Sequence, residues 1–380
     1  MTSQADWLII KKLVVNRRMT ISNSIRNSTK YFRDPALLDH LPLTRAAYSD
    51  RTAWILAVIS WLAYDTLPGE DSIEQLVRQV EDAAKQRQTS QLRELLQRAM
   101  AQGLSVDSNV QRELESVGFE FKAVFNSGGT QAFLALLQQR QDRSPMLILA
   151  FRGTEISSPD DVMADLDLRL VPVDSGGRVH SGFHKAFQTV RDKIEAVIAD
   201  PIYQDYPLYI SGHSLGAALA MLATRYLTHP RMAATYTYGC PRAADEAFYA
   251  CVKTPVYRIV NAADGVARVP FGRFTTALLR LIDLIPINGT HYLTEWIRRT
   301  ILGYTHYGNL VFLSDAAATL DGDGIQFPEL QVVHGPDLAW RLWEVWKRLL
   351  VSRGKALIDD HNIEIYARKL FANAQRRLTS

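Results

Sequence analysis

Residues Leu208–Ala218 read LYISGHSLGAA, and no other stretch limits the fold as tightly. Leu208, Tyr209 and Ile210 favour a strand, while Leu215, Ala217 and Ala218 open a helix-forming run. Ser214 stands between them, with Gly212 two residues before and Gly216 two residues after. A serine on so tight a strand-to-helix turn must take up unfavourable backbone angles, so its neighbours must be small. The pattern predicts a hydroxyl held out at the end of a strand, facing the positive end of a helix dipole. A hydroxyl is a weak nucleophile until a neighbouring base takes its proton, so a histidine and an orienting carboxylate are expected elsewhere in the chain.

The surrounding sequence alternates strand-like and helix-like segments. Residues 119–124, 131–137 and 146–151 read as strands. They are followed by a helix near 181–199, a strand at 207–211, a helix at 215–228, a strand at 234–238, a helix at 243–251 and a strand at 255–261. Such alternation predicts an α/β fold with a mostly parallel central sheet and helices on both its faces. Thr52–Tyr64 reads as a buried helix ending before Pro68-Gly69, and residues 73–100 as two amphipathic helices forming a peripheral hairpin, with a cap over a pocket as the alternative.

Composition narrows the function. Hydrophobic residues make up 47% and charged residues 22% of the 380, enough apolar material for a large core. The net charge is only +3, with Lys+Arg nearly balanced by Asp+Glu, which argues against nucleic-acid binding. Cys240 and Cys251 build no disulfide framework and no metal motif. The most apolar run, Trp54–Ala63, is about half the length of a membrane span. The first 33 residues hold seven Lys/Arg and one acid, which reads as a solvated basic terminus, with contact to an anionic membrane surface as the alternative. Nothing there resembles a signal peptide, so the expected location is the cytoplasm, or outside it by a route needing no such signal. Asp321-Gly322-Asp323-Gly324 lacks the distal Glu of a calcium loop and reads as a hairpin turn.

For the carboxylate, Asp264 follows the strand-like run Val256–Val260 in the turn Asn261–Gly265, where it could equally serve only as an Asx-turn residue. Four histidines lie downstream: His291, His306, His334 and His361. His361 sits in the polar, loop-like Asp359–Asn362, and His306 between aromatics as a packing histidine would. Position does not choose among the four. The elbow geometry itself offers the Leu215 N–H as an oxyanion donor. Ser158 and Pro159 suit the first positions of a short helix, with Val162, Met163 and Leu166 on its apolar side.

Taken together and in order, these motifs resemble the class 3, fungal-type lipases of the α/β-hydrolase fold. Phe151–Thr154 is similar to the family's oxyanion strand, Val179–Phe183 to the segment before its next helix, and Gly212–Gly216 to its elbow. Tyr238–Arg242 is similar to its TFGxPR segment, Arg258–Asn261 with Asp264 and Pro270 to its acid segment, and Tyr304–Gly308 to a non-catalytic YxHxG segment. Asp360-His361 with Tyr366 resembles the DHxxY segment that supplies the base. The resemblance covers residues 52–65 and 117–366, with gaps. It implies a triad of Ser214, Asp264 and His361, an oxyanion hole of Thr154 and Leu215, and a lid carrying Ser158, Val162, Met163 and Leu166. An ordinary surface helix is the alternative for the last.

The implied activity is hydrolysis of acylglycerol esters through an acyl-enzyme, with no metal or organic cofactor, a lipid ester as substrate and transient contact with a lipid–water interface. Two rivals are a phospholipase A-type enzyme, including a delivered antibacterial effector, and a non-catalytic lipid-binding protein on the same fold. The expected organisation is a basic arm over residues 1–51 and a hydrolase domain over 52–380, with helical insertions near 70–112, 274–302 and 336–353. The helices at 72–102 and the 97 residues between Asp264 and His361 depart from compact family members. Within the last insertion, Trp340, Trp343 and Trp346 alternate with leucines, a pattern expected to be core, with a membrane-interface helix as the alternative.

Overall fold

The computed structural model describes residues 47–65, 67, 109–138, 145–153, 169–269, 303–321 and 324–379. Most of the basic arm, the helices expected at 73–100, Thr154, the lid segment with Ser158, Val162, Met163 and Leu166, His291, the 274–302 insertion and the Gly322-Asp323 turn lie outside the described residues.

Eight strands form one sheet: β1 (Phe119–Ser127), β2 (Thr130–Leu137), β3 (Met146–Phe151), β4 (Leu208–His213), β5 (Met232–Tyr238), β6 (Val256–Asn261), β7 (Asn309–Leu313) and β8 (Val332–His334). Their spatial order is their chain order. β3 through β7 run parallel, while β1, β2 and β8 join antiparallel at the edges. This is the α/β-hydrolase arrangement expected above. Because β3, β4, β5 and β6 are parallel, the turns after Phe151, His213, Tyr238 and Asn261 all emerge at one edge. Ligand chemistry in open parallel sheets gathers at that edge.

Right-handed crossovers between strands in sequential order put the connecting helices on one face. Helices α2 (Ser181–Ile198) and α3 (Leu215–Tyr226) accordingly share a core with Leu147, Leu149, Phe151, Leu208 and Ile210. The opposite face carries Ile148, Ala150, Tyr209, Tyr236 and Ile259. It is covered by α1 (Asp50–Leu62), from before the sheet, and α5 (Ile363–Thr379), from after it. α1 is apolar all round and buried from Thr52 to Ser60, as its sequence demands. Two polar links fix its register: Ser60 Oγ to Ser211 Oγ at 2.6 Å, and Tyr238 Oη donating to Ala53 O at 2.5 Å.

Between β8 and α5 in the chain, α4 spans Leu338–Ser352. Here the expectation of a tryptophan core fails. Trp340 is half-buried against Phe312, but Trp343 and Trp346 are 59% and 57% exposed. The inward face of α4 packs Trp340 and Val345 against a small cluster with Phe312 and is otherwise held by charge: Arg348 forks onto Asp360 and reaches Asp315, and Glu344 is buried beside Lys347. The helix expected at 243–251 shrinks to Glu246–Tyr249, because Asp245 accepts from the Phe248 N–H and starts it late. Among the described residues, no helix is long and apolar enough to cross a membrane.

The β2 side chains fill both cores, and Phe133 is fully buried in the one that α1 covers, stacked on Phe121. Phe133→Ala should cost about 3–5 kcal/mol in urea-monitored unfolding, the usual penalty for emptying a buried phenyl site.

Candidate active site

Ser214 has φ 56° and ψ −127°, a region that L-residues avoid. The strain is imposed from both sides. A Cβ on Gly212 would overlap the Gly216 carbonyl, and one on Gly216 would overlap the Phe151 carbonyl. The Ser214 N–H donates to Tyr238 O at 3.0 Å, fixing the turn to the end of β5. Leu215 is the first residue of α3, so its N–H has no helical carbonyl behind it. Gly153 brings the end of β3 onto this turn so closely that a Cβ there would strike Tyr64 Oη and the His213 carbonyl.

Asp264 is fully buried just beyond the end of β6. Its Oδ1 accepts from the Val266 and Ala267 N–H groups at 2.9 and 3.3 Å, the Asx-turn geometry expected as an alternative. Both carboxylate oxygens also face His361 Nδ1, at 3.0 and 2.9 Å, and Tyr366 Oη donates to Oδ2 at 2.5 Å. The residue therefore makes the turn and the histidine contact together. Burial alone would raise its pKa, but the charge of His361 and the hydrogen bonds from His361 and Tyr366 outweigh burial and hold the carboxyl below its ordinary value of 3.8.

An ionised carboxylate only accepts, so His361 Nδ1 must carry the hydrogen. In the neutral ring this leaves the lone pair on Nε2. His361 Nε2 and, next to the histidine tied to it, Ser214 Oγ are both among the buried side-chain atoms without a hydrogen-bond partner among the described residues. An unpaired buried polar atom costs about 1–3 kcal/mol, which stability alone gives no reason to keep. No described hydrogen bond joins the two, so the serine–histidine contact is open in this state, as it often is before substrate binds.

The base is nonetheless tied to the elbow. Next to Ser214, His213 Nε2 donates to the His361 carbonyl at 2.7 Å, and Tyr64 Oη donates to His213 Nδ1 at 2.7 Å. Burial first, then the charge of His361, pushes the His213 pKa well down, so His213 stays neutral and does not compete as a base. Gly239, at φ +57°, leaves no room for a side chain: a Cβ there would lie 2.6 Å from Asp264 Oδ2 and 2.8 Å from His361 Nδ1.

A second layer joins the acid and base loops. Asp360 Oδ2 accepts from the Ala263 N–H at 3.0 Å, and Asn261 Nδ2 donates to Asp360 O at 2.8 Å. Buried Lys369 donates to Asn261 Oδ1 and Ser314 O, both at 2.7 Å. The motifs gave Asn261, Asp360 and Tyr366 no role, and gave no signal for Tyr64, Arg348 or Lys369. A lone lysine in an otherwise helical stretch looks like surface. His306 has a separate occupation, with Nε2 donating to Ala267 O at 2.8 Å, and His334 packs on Tyr48 at the exposed edge strand. Of the four histidines, three are described, and only His361 meets Asp264.

With this geometry in hand, comparison with known proteins is informative. Residues 148–274 match the family model for lipase (class 3). That stretch is similar to class 3 lipase sequence, as the motif order implied. It includes the elbow and Asp264 and ends before His361. The chain is 33% identical to a lipase of Rhizomucor miehei over 150 residues, 36% of this chain and 40% of the relative. It is 31% identical over 130 residues to the secreted mono- and diacylglycerol lipase 1 of Fusarium solani, covering 32% and 39% of the two chains. Toxin TseL of Vibrio cholerae is 32% identical over 117 residues, covering 29% of this chain and 18% of the toxin. The chain thus spans about two fifths of the length of the lipases it matches. The solved structure of lipase II from Rhizopus niveus aligns with a TM-score of 0.42 at 20% identity, over 62% of this chain and 78% of that one.

Two outcomes follow from the network. Tyr366→Phe removes one donor to Asp264 and the acceptor of the Asn261 N–H. It should cost about 1–3 kcal/mol of stability in chemical denaturation. Burial pulls Lys369 down to about 8, so between there and its unfolded pKa of about 10.4 the folded state binds fewer protons than the unfolded chain. Stability should therefore rise with pH across that window in the wild type relative to Lys369→Met, by about 1–3 kcal/mol in paired urea titrations.

Proposed function

We propose that this protein is a serine carboxylic-ester hydrolase acting on acylglycerols, with Ser214 as nucleophile, His361 as base and Asp264 as the carboxylate that orients it. One observation carries the reading. A buried Asp264–His361 pair leaves the Nε2 lone pair unused, and the hydroxyl of a strained serine, also unused, lies one residue from the histidine bonded to the His361 carbonyl.

The chemistry follows from the charges. His361 Nε2 takes the Ser214 proton as Oγ adds to the ester carbonyl. The imidazolium so formed is stabilised by Asp264, whose own pKa is too low for it to take that proton. The tetrahedral oxyanion is met by the Leu215 N–H at the positive end of α3, and by Thr154. His361 returns its proton to the leaving alcohol, then activates water, which releases the fatty acid and restores Ser214. The segment holding Ser158, Val162, Met163 and Leu166 is proposed as the lid over this site. Ser214, Asp264 and His361 are all buried, so substrate entry needs some such movement.

A second reading is a phospholipase A-type enzyme delivered as an effector, and the likeness to toxin TseL favours the effector part of it. Parallel assays on triacylglycerol, diacylglycerol and phosphatidylcholine separate the two by the ester that turns over fastest.

Ser214→Ala should reduce p-nitrophenyl ester hydrolysis by about 10⁴-fold or more with an unchanged circular dichroism spectrum. His361→Ala should match it, while His306→Ala stays within about tenfold of wild type. A fluorophosphonate probe should label the wild type and not Ser214→Ala. Absent labelling of the wild type would favour the non-catalytic lipid-binding alternative.

A further inference from the structure

Nine large apolar side chains are exposed among the described residues, and eight of them fall between Leu338 and Ile358. On α4, Leu338, Leu342, Trp346 and Leu350 form one row at a spacing of four, and Trp343 and Val351 stand in the next. These side chains are 57–80% exposed. The opposite face holds Glu344, buried, and Arg348, paired with Asp360 and Asp315. Apart from Trp340 and Val345, which pack inward, the helix is thus reversed: its larger apolar side faces out and its ion pairs face in. An apolar stripe about 100° wide or more normally marks the side of a helix that is covered.

Three features identify what covers it. The exposed apolar set includes two tryptophans, the residue type that settles where hydrocarbon meets headgroups. The exposed charged residues between Leu338 and Ile358 are Lys347, Arg353 and Lys355, all cationic, with Asp337 and Asp359 at the two ends. Lys347 lies over the Trp343 ring, at 6.0 Å from its centroid. The patch also runs directly into the site. Exposed Leu357 and Ile358 continue it, the Leu357 carbonyl accepts from the Gly265 N–H at 3.0 Å beside Asp264, and His361 follows three residues after Ile358.

We propose that the outer face of α4, with Leu357 and Ile358, is the surface by which this protein seats itself on an anionic phospholipid bilayer. Trp343, Trp346, Leu342 and Leu350 enter the headgroup–acyl boundary, while Lys347, Arg353 and Lys355 meet the lipid phosphates. The inference rests on the reading of Ser214 as a nucleophile toward lipid esters, because it places the site's rim at the phase where such esters reside.

The test uses the full chain carrying Ser214→Ala, which leaves the vesicles intact. Co-sedimentation and tryptophan fluorescence are measured with phosphatidylcholine vesicles, with and without phosphatidylglycerol. The protein should bind the anionic vesicles, with a blue-shifted emission, and less tightly as salt is raised. Adding Leu342→Ser, Trp346→Ser and Leu350→Ser should weaken binding by about tenfold or more. With Ser214 restored, these three changes should leave hydrolysis of soluble p-nitrophenyl acetate within about twofold. Lys355→Glu, a change on the exposed surface, should selectively weaken binding to the anionic vesicles. Vesicle binding that is absent, or unchanged by the substitutions, overturns the proposal. So does a dimer that the triple variant converts to monomer in ultracentrifugation, since the occupant is then a second copy. A large fall in the variant's melting temperature also overturns it, since the face is then covered by the chain's own segments. Vesicle binding lost on substitution in a protein that cleaves no ester supports the surface and sinks the catalytic reading alone.

Discussion

The site depends on the contact between Asp264 and His361. They stand 97 residues apart, and their carboxylate–imidazole pair, at 2.9 Å, is buried where water cannot substitute for either partner. The contact sets the imidazole tautomer, and so determines which nitrogen can accept a proton. It also makes the acid loop and the base loop one unit, reinforced by Asp360 on the Ala263 N–H and Asn261 on the Asp360 carbonyl. A buried charge pair is favourable only when its remaining hydrogen-bonding capacity is filled. Tyr366 and the Val266 and Ala267 amides fill it for Asp264.

The elbow is the other half, and it works by exclusion. Gly212, Gly216 and Gly153 matter because nothing larger fits between three chain segments crossing at van der Waals distance. The parallel sheet brings those crossings together, since β3 through β6 deliver their ends to one edge. The antiparallel additions β1, β2 and β8 widen the sheet on either side of these strands.

Much of this was legible before any coordinates. The strand–turn–helix around Ser214 was readable because steric demand writes itself into residue size, and the all-apolar α1 because only a fully enclosed helix tolerates that composition. Asp264 could be placed at a strand end, though its double task could not, since a turn residue and a triad acid look alike in sequence. His361 was one of four until the motif order singled it out, because contacts across 97 residues leave no periodic trace. Lys369 and Arg348 were illegible for a related reason: a charged side chain reads as solvent-facing until its buried partners are known. The tryptophans of α4 misled in the opposite direction. Helical spacing reports that a stripe exists, and says nothing about whether protein lies against it.

The fork between Arg348 and Asp360 has a mechanical meaning. Asp360 is the residue immediately before His361, so the guanidinium on α4 grips the peptide that carries the imidazole. Two charge-assisted bonds of this kind resist sliding far better than apolar contact does. A load applied to the outer side of the helix would therefore pass to the backbone that carries the ring.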